Sequence, residues 1–286
     1  MTVTYRHVDV FATRPFTGNS LAVFPGGPAL SAQQMLVITQ ELRHFETIFL
    51  GEPSEDNVVE ARIFDLFEEL DFAGHPLLGA AAVLHESRGA KGALHWRFRL
   101  KDRTVTLTTR STTSGYRVEL DQGAPQFLGV VGGTDREEIA AALHLEALAD
   151  LPLEVMSTGL RYLIVPVRGG LDRARIVRDD FAELIGRHGA QFAYLLDVEA
   201  LEGRHWNNDG AMEDVATGSA AGCVGGYLAR HVVVPVGEEF TLRQGRFTGR
   251  PSRSTVRPEG AADALTNVRV GGDVVMVATG ALEAMP

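Results

Sequence analysis

Two short segments of this sequence combine turn formers, small residues and titratable side chains, and could support proton chemistry. They are Ala73-Gly74-His75-Pro76-Leu77-Leu78-Gly79-Ala80-Ala81 and Ala216-Thr217-Gly218-Ser219-Ala220-Ala221-Gly222. Each reads as a polar break feeding a helix of Gly and Ala. The first turn of a helix leaves backbone N–H groups without partners, and the helix dipole favours an anion there. Gly74 and Gly218 have no side chain to block close approach. Either glycine alone reads better as a plain turn residue. Their paired occurrence favours two helix starts that face each other across a cleft between two halves and grip a small carboxylate.

His75 lies beside the first start, and Asp214 and Ser219 beside the second. In a desolvated cleft a His or an Asp can be tuned to exchange protons near neutral pH. On spacing alone, His75 reads as an exposed helix-cap residue and Asp214 as an ordinary N-terminal helix carboxylate. Glu46 is the third candidate, between Phe45 and Thr47 at the head of an apolar run. It is either a surface residue at a strand edge, which the flanks slightly favour, or a buried acid whose pKa burial would raise toward neutrality. Other chemistries fit worse. Ser219 has Thr217 where a nucleophile elbow needs Gly, there is no H-E-x-x-H, and the nine histidines show no zinc-like spacing. Cys223 reads as a small core residue inside the second helix.

The elements that must carry these residues follow from periodicity and turn chemistry. A first strand is expected to end on Val8, Val10 and Phe11 and a second to cover Leu21–Phe24, joined as a hairpin with Gly18 and Asn19 at its mouth. Ser31 should cap a helix running to about Arg43. Strands follow at 47–50 and 58–64, then the buried helix 77–84, a hairpin of 96–100 with 105–109, and a strand at 117–120. The second half repeats this grammar: strand 161–167, helix 179–187, strand 192–196, helix 220–230, then strands 240–243, 267–270 and 274–279. The Arg-rich stretch from Arg243 to Arg257 reads as a loop. The repeated helix starts indicate an internal duplication. With no G-x-G-x-x-G after the first strand and no regular strand–helix alternation, a Rossmann architecture is rejected.

Composition narrows the class. At 286 residues, 45% hydrophobic and 22% charged, the chain can bury two cores and is not a disordered sequence. A formal charge of −10 with no Lys/Arg run argues against nucleic acid as a partner. A single cysteine allows no intrachain disulfide and fits a reducing, cytoplasmic compartment. The first ten residues lack a signal-peptide core, and no apolar run is long enough to span a bilayer.

The ordered motifs resemble one family nearly end to end. They are Val8-Asp9-Val10-Phe11 with Phe16-Thr17-Gly18-Asn19, Glu46-Thr47 with Phe49, and Gly74-His75-Pro76 with Leu78-Gly79. Then come Ser157-Thr158-Gly159, Glu213-Asp214 with Ala216-Thr217-Gly218-Ser219-Ala220, and Gly249-Arg250-Pro251-Ser252. This chain resembles the phenazine biosynthesis PhzF-like isomerases, relatives of diaminopimelate epimerase. The resemblance implies an α+β fold of two pseudo-symmetric domains, each a curved, mostly antiparallel sheet around a central helix. Domain one is expected over 1–115 plus 272–286 and domain two over 116–271. It implies a homodimer with no metal and no organic cofactor, acting on a small carboxylate-bearing substrate. By resemblance Glu46 is the acid/base and His75 and Asp214 assist it. Ser219 binds substrate, Asn19 shapes the site, and Gly74 and Gly218 present backbone donors.

Some positions depart from the family pattern. Phe45 stands where a small Ser is common, Val215 where Pro is usual, and Trp206 and Asn207 where Phe and Pro are usual. Phe45 and Trp206 would enlarge apolar walls if they faced the substrate. The epimerase relatives use two thiols at the helix starts, and neither start has one here, so two-thiol racemisation is excluded. Three functions stay open on the sequence. They are an isomerase that moves a proton and a double bond, an epimerase or β-eliminating lyase on a hydroxy amino acid, and a non-catalytic ligand-binding dimer.

Overall fold

The computed structural model describes residues 3–26 and 30–286. The chain divides into two compact units, 1–121 with 271–286, and 122–270. The first contains β1 (Val3–Val10), β2 (Asn19–Phe24), α1 (Ala32–Leu42), β3 (Glu46–Leu50), β4 (Val58–Asp65) and β5 (Glu69–Leu70). It continues with α2 (Gly74–Arg88), β6 (Leu94–Arg99), β7 (Thr104–Ser111) and β8 (Tyr116–Asp121). The second contains β9 (Gln126–Val131), α3 (Gly133–Ala142), β10 (Leu153–Ser157), β11 (Arg161–Val167) and α4 (Phe181–Gly186). Its remaining elements are β12 (Phe192–Asp197), β13 (Glu202–Arg204), α5 (Gly218–Arg230), β14 (Phe240–Gln244) and β15 (Ser252–Ala261). The last strand, β16 (Ala264–Leu282), begins in the second unit and ends in the first.

In the first unit the strands run β1-β2-β3-β4-β6-β7-β8-β16, and β16 pairs back onto β1, which closes the sheet. The β2–β3 and β4–β6 pairs are parallel, and β1–β2, β3–β4 and β6–β7 are antiparallel. Parallel neighbours need a crossover, and α1 and α2 supply the two. The second unit repeats the sequence of pairings. β10–β11 is antiparallel, β11–β12 parallel, β12–β13 antiparallel, β13–β14 parallel and β14–β15 antiparallel. There α4 and α5 make the crossovers. The duplication expected from the two Gly-Ala segments is therefore present in the order and direction of the strands.

Local signals placed α1 well. Ser31 caps it in a full capping box with Gln34, and Arg43 ends it in the left-handed region. Both central helices are buried nearly all round, and their glycines are sites of contact. A Cβ on Gly79 would strike Leu21 and come within 3.1 Å of Val8 and Val10. A Cβ on Gly222 would strike Gln122 and come within 3.1 Å of Thr158. Bulky residues would hold the strands off these helices.

Several sequence expectations need correction. α2 is longer than 77–84, because Pro76 fits in a first turn where its missing N–H breaks no helical bond. The stretch Arg243–Arg257 is no continuous loop. It holds the end of β14 and the start of β15, whose alternating burial hides Ser252, Ser254 and Val256 and leaves Arg253 exposed. A small hydroxyl on the inward face erased the apolar alternation that marks a strand. The segments 267–270 and 274–279 are one strand carried through Gly271 and Gly272. β9, α3, β10 and β13 were not anticipated.

Candidate active site

Four of the candidate residues belong to the first unit. β3 is buried on both faces, and side chains alternate along it. Phe49 packs into the cluster under α1 with Phe24, Met35 and Ile38. Glu46 and Ile48 therefore project to the opposite face, toward α2. α2 begins at Gly74 after Ala73, which offers no side-chain cap. Its second residue, His75, places Nδ1 3.1 Å from Glu46 Oε2. Asn19, the first residue of β2, sets its Nδ2 3.4 Å from the same nitrogen. Gly18 makes that possible: it sits at φ 64°, and a Cβ there would strike the Val10 carbonyl.

His75 Nδ1 thus lies within reach of a carboxylate oxygen and of a side-chain amide. A proton on Nδ1 would face the Glu46 carboxylate at ion-pair distance. With Nδ1 bare, its single lone pair accepts from the Asn19 amide or from a protonated Glu46, one at a time. Glu46 is 8% exposed and His75 3%. The surface reading of Glu46 and the exposed-cap reading of His75 are thus both overturned. Tertiary burial decided each, and neither leaves a local trace in sequence. β12, the counterpart of β3 in the repeat, opens on Phe192, so the acid belongs to the first unit's copy alone.

The remaining three candidates belong to the second unit. Asp214 is 5% exposed and lies four residues ahead of α5, so it is not an ordinary N-terminal helix carboxylate. Its Oδ2 accepts from the Thr217 hydroxyl at 2.7 Å and its Oδ1 from the Ala216 N–H at 3.3 Å. Thr217 is the residue before α5 but makes no side-chain cap, because its hydroxyl is directed to Asp214. α5 begins at Gly218, two residues earlier than expected. Ser219 follows, its hydroxyl 2.8 Å from that of Tyr162. The structure thus gathers Asn19, Glu46, Gly74 and His75 in one unit, and Asp214, Gly218 and Ser219 in the other.

Three polar residues of the second unit were missed. Tyr162 is the second residue of β11, after the exposed Arg161 and ahead of an apolar run. Gln244 ends β14, and its signal lay in its position just ahead of the Gly249-Arg250-Pro251-Ser252 block. His205 is buried, bonded through Nδ1 to the Ala193 carbonyl at 2.9 Å, with its ring edge-on to Tyr162 and Phe192. Burial lowers its pKa below the ordinary imidazole value, against an opposing pull from the Asp214 charge. Cys223 is buried one turn into α5, and burial pushes its thiol up to about 12, so it stays a protonated, neutral thiol near neutral pH. Trp206 widens no apolar wall: it is part of the core and stacks under the Arg204 guanidinium. Among the described residues no helix is long and apolar enough to cross a membrane.

Relatives share both the architecture and the class. A trans-2,3-dihydro-3-hydroxyanthranilate isomerase of Pseudomonas aeruginosa is 34% identical, covering 96% of this chain and 98% of its own. A solved structure of a predicted epimerase from Pseudomonas aeruginosa is 46% identical, covers 99% of each chain and superposes with a TM-score of 0.93. A hydroxyproline epimerase from Agrobacterium vitis, solved with trans-4-hydroxy-L-proline, covers 98% of this chain and 92% of its own. At 13% identity and a TM-score of 0.68 it speaks for the fold alone. Fold and relatives together define an enzyme of the isomerase class with a diaminopimelate epimerase-like architecture. The family described as phenazine biosynthesis-like protein (PhzC-PhzF) matches residues 8–280, and the chain belongs to it.

Proposed function

We propose that this isomerase moves a proton, and with it a double bond, on a small cyclic amino acid or related carboxylate, with Glu46 as the acid/base. The observation that carries the reading is the buried contact of Glu46 with His75 at 3.1 Å. An ionised Glu46 would take a proton from a carbon beside an activating group. The electron pair left behind moves into conjugation, and Glu46 returns the proton to another carbon, so the substrate's atoms are conserved. His75 supports both protonation states of the carboxyl group, and Asn19 keeps the imidazole in place. In this reading Asp214 assists the transfer, Ser219 binds the substrate, and the backbone N–H groups at Gly74 and Gly218 hold its carboxylate. The relative named for trans-2,3-dihydro-3-hydroxyanthranilate supports a cyclic β-hydroxy amino acid as the substrate class.

The test compares wild type with Glu46→Gln on that compound and on its aromatic analogue 3-hydroxyanthranilate. The analogue should raise the Tm of both proteins, and only wild type should turn over the substrate. Full activity of Glu46→Gln would remove the carboxylate from its role. Epimerisation or β-elimination at the same carboxylate is told apart by product structure and by where solvent deuterium enters. In the same reading the enzyme works as a cytoplasmic homodimer, and sedimentation as a monomer would count against that part of it.

A further inference from the structure

The motif Gly249-Arg250-Pro251-Ser252 has no part in the roles assigned above. It nevertheless converges, with Gln244, on the turn that carries Asp214. Gln244 closes β14 and Ser252 opens β15, directly opposite each other in the register. The Ser252 hydroxyl lies 3.0 Å from the Val215 carbonyl and 3.1 Å from that of Gln244. Gly245 between them, at φ 78°, packs so close that a Cβ would strike the carbonyls of Arg250 and Val215.

The Gln244 amide is buried and fully engaged. Its Nε2 donates to the Asp214 carbonyl and to Thr217 Oγ1, both at 2.9 Å. Its Oε1 accepts from the Thr217 N–H at 3.2 Å and from the Tyr194 hydroxyl at 3.0 Å. Burial raises the Tyr194 phenol far above its ordinary value, so it stays a donor. Only one orientation of the amide fits. Turned over, it would set its NH2 against the Thr217 N–H and its oxygen against the Asp214 carbonyl. Because Gln244 donates to Thr217 Oγ1, the proton of that hydroxyl is left for Asp214 Oδ2 at 2.7 Å.

We propose that Gln244 is the positioning residue for Asp214: through the Thr217 hydroxyl it fixes which way the carboxylate points, while Ser252 holds the backbone of the turn. This rests on the assignment of Asp214 as the assisting group. Gln244→Glu keeps the shape but removes the donor, so Thr217 would turn its proton toward position 244 and release Asp214. Thr217→Val breaks the same chain one link later, and Thr217→Ser keeps it.

The experiment measures kcat and KM on a compound that wild type turns over. Gln244→Glu and Thr217→Val should each lose about tenfold or more in kcat, with KM within about twofold of wild type. The two losses should not multiply in the double variant, and Thr217→Ser should recover most of the Thr217→Val loss. A folded Gln244→Glu with wild-type kcat, or losses that multiply, would overturn the proposal. If Gln244→Glu does not fold, equal kcat for Thr217→Val and Thr217→Ser would overturn it instead. If wild type turns over no cyclic amino acid, the isomerase reading fails by itself, and a crystal structure of Thr217→Val decides the clamp. An Asp214 carboxylate that has swung away supports it, and one left in place refutes it.

Discussion

Replacing Glu213 by Ala strips the counter-ion from a guanidinium that the fold has taken out of water. Arg204 meets Glu213 in a two-pronged pair, Nε to Oε1 at 2.9 Å and Nη2 to Oε2 at 2.5 Å, with the side chains 9% and 12% exposed. Removing one member of a buried pair costs about 3–5 kcal/mol, because the other charge is left uncompensated. Arg204 keeps other support: the carbonyls of Leu171 and Ala174, and the rings of Trp206 and Phe247, each 4.3 Å from its carbon. That support puts the expected loss at the low end, about 3 kcal/mol. The corresponding fall in Tm is about 6–12 °C for a domain of this size. Arg99 and Glu60 provide the control, 2.6 Å apart but roughly 60% exposed. Glu60→Ala should cost about 0–1 kcal/mol, since water and salt already screen that pair. Urea unfolding followed by tryptophan fluorescence separates the units, because Trp96 lies in the first and Trp206 in the second. A Trp96→Phe background reports the second alone. Equal losses for the two variants, or a loss under about 1 kcal/mol for Glu213→Ala, would refute the argument from burial.

Three further outcomes are expected. His205 has a folded pKa below its ordinary 6.5, so the unfolded chain binds a proton that the folded chain does not. Its contribution is full above about pH 6.5 and fades as pH falls toward the folded value, at up to about 1.4 kcal/mol per unit. His205→Phe should flatten that part of the stability profile, and an unchanged slope of the urea midpoint between pH 7 and 5 would contradict this. Gly222→Ala should lose about 1–2 kcal/mol net, because displacing Gln122 outweighs the better helix propensity of Ala. A variant of equal or higher Tm would show that Gln122 moves aside freely. Ser31→Ala should cost about 1 kcal/mol through loss of the capping box on α1, read as a shift in the urea midpoint, and no shift would mean the cap contributes nothing.

Local signals in the sequence carried much of this structure. A hydroxyl before an amphipathic run, as at Ser31, and a Gly-Asn turn between two apolar runs, as at Gly18-Asn19, act over a few residues and can be read directly. The helix starts at Gly74 and Gly218 were legible because the repeat shows them twice. What stayed hidden depends on contacts distant in sequence. Glu46 lies under α2, and nothing in its flanks distinguishes that from an exposed strand edge. β15 escaped because its first inward residues are Ser252 and Ser254, small hydroxyls in place of an apolar stripe, and the Ser252 hydroxyl binds backbone carbonyls. Gln244 was missed because its partners are distant in sequence: Asp214 and Thr217 come from the turn before α5 and Tyr194 from β12.

The closing strand β16 has a consequence for synthesis. β1 leaves the ribosome more than 200 residues before β16, the strand it pairs with. Until then the whole second unit must be made, and the first unit waits with its sheet open. An open strand edge is a template for pairing with other chains, and contacts this distant in sequence form late. The second unit needs only the first few residues of β16 and can fold as an insertion while the first waits. Loss of residues 274–282 would therefore leave every copy with the exposed edge of a nascent chain, and the expected phenotype is aggregation rather than a mild loss of stability.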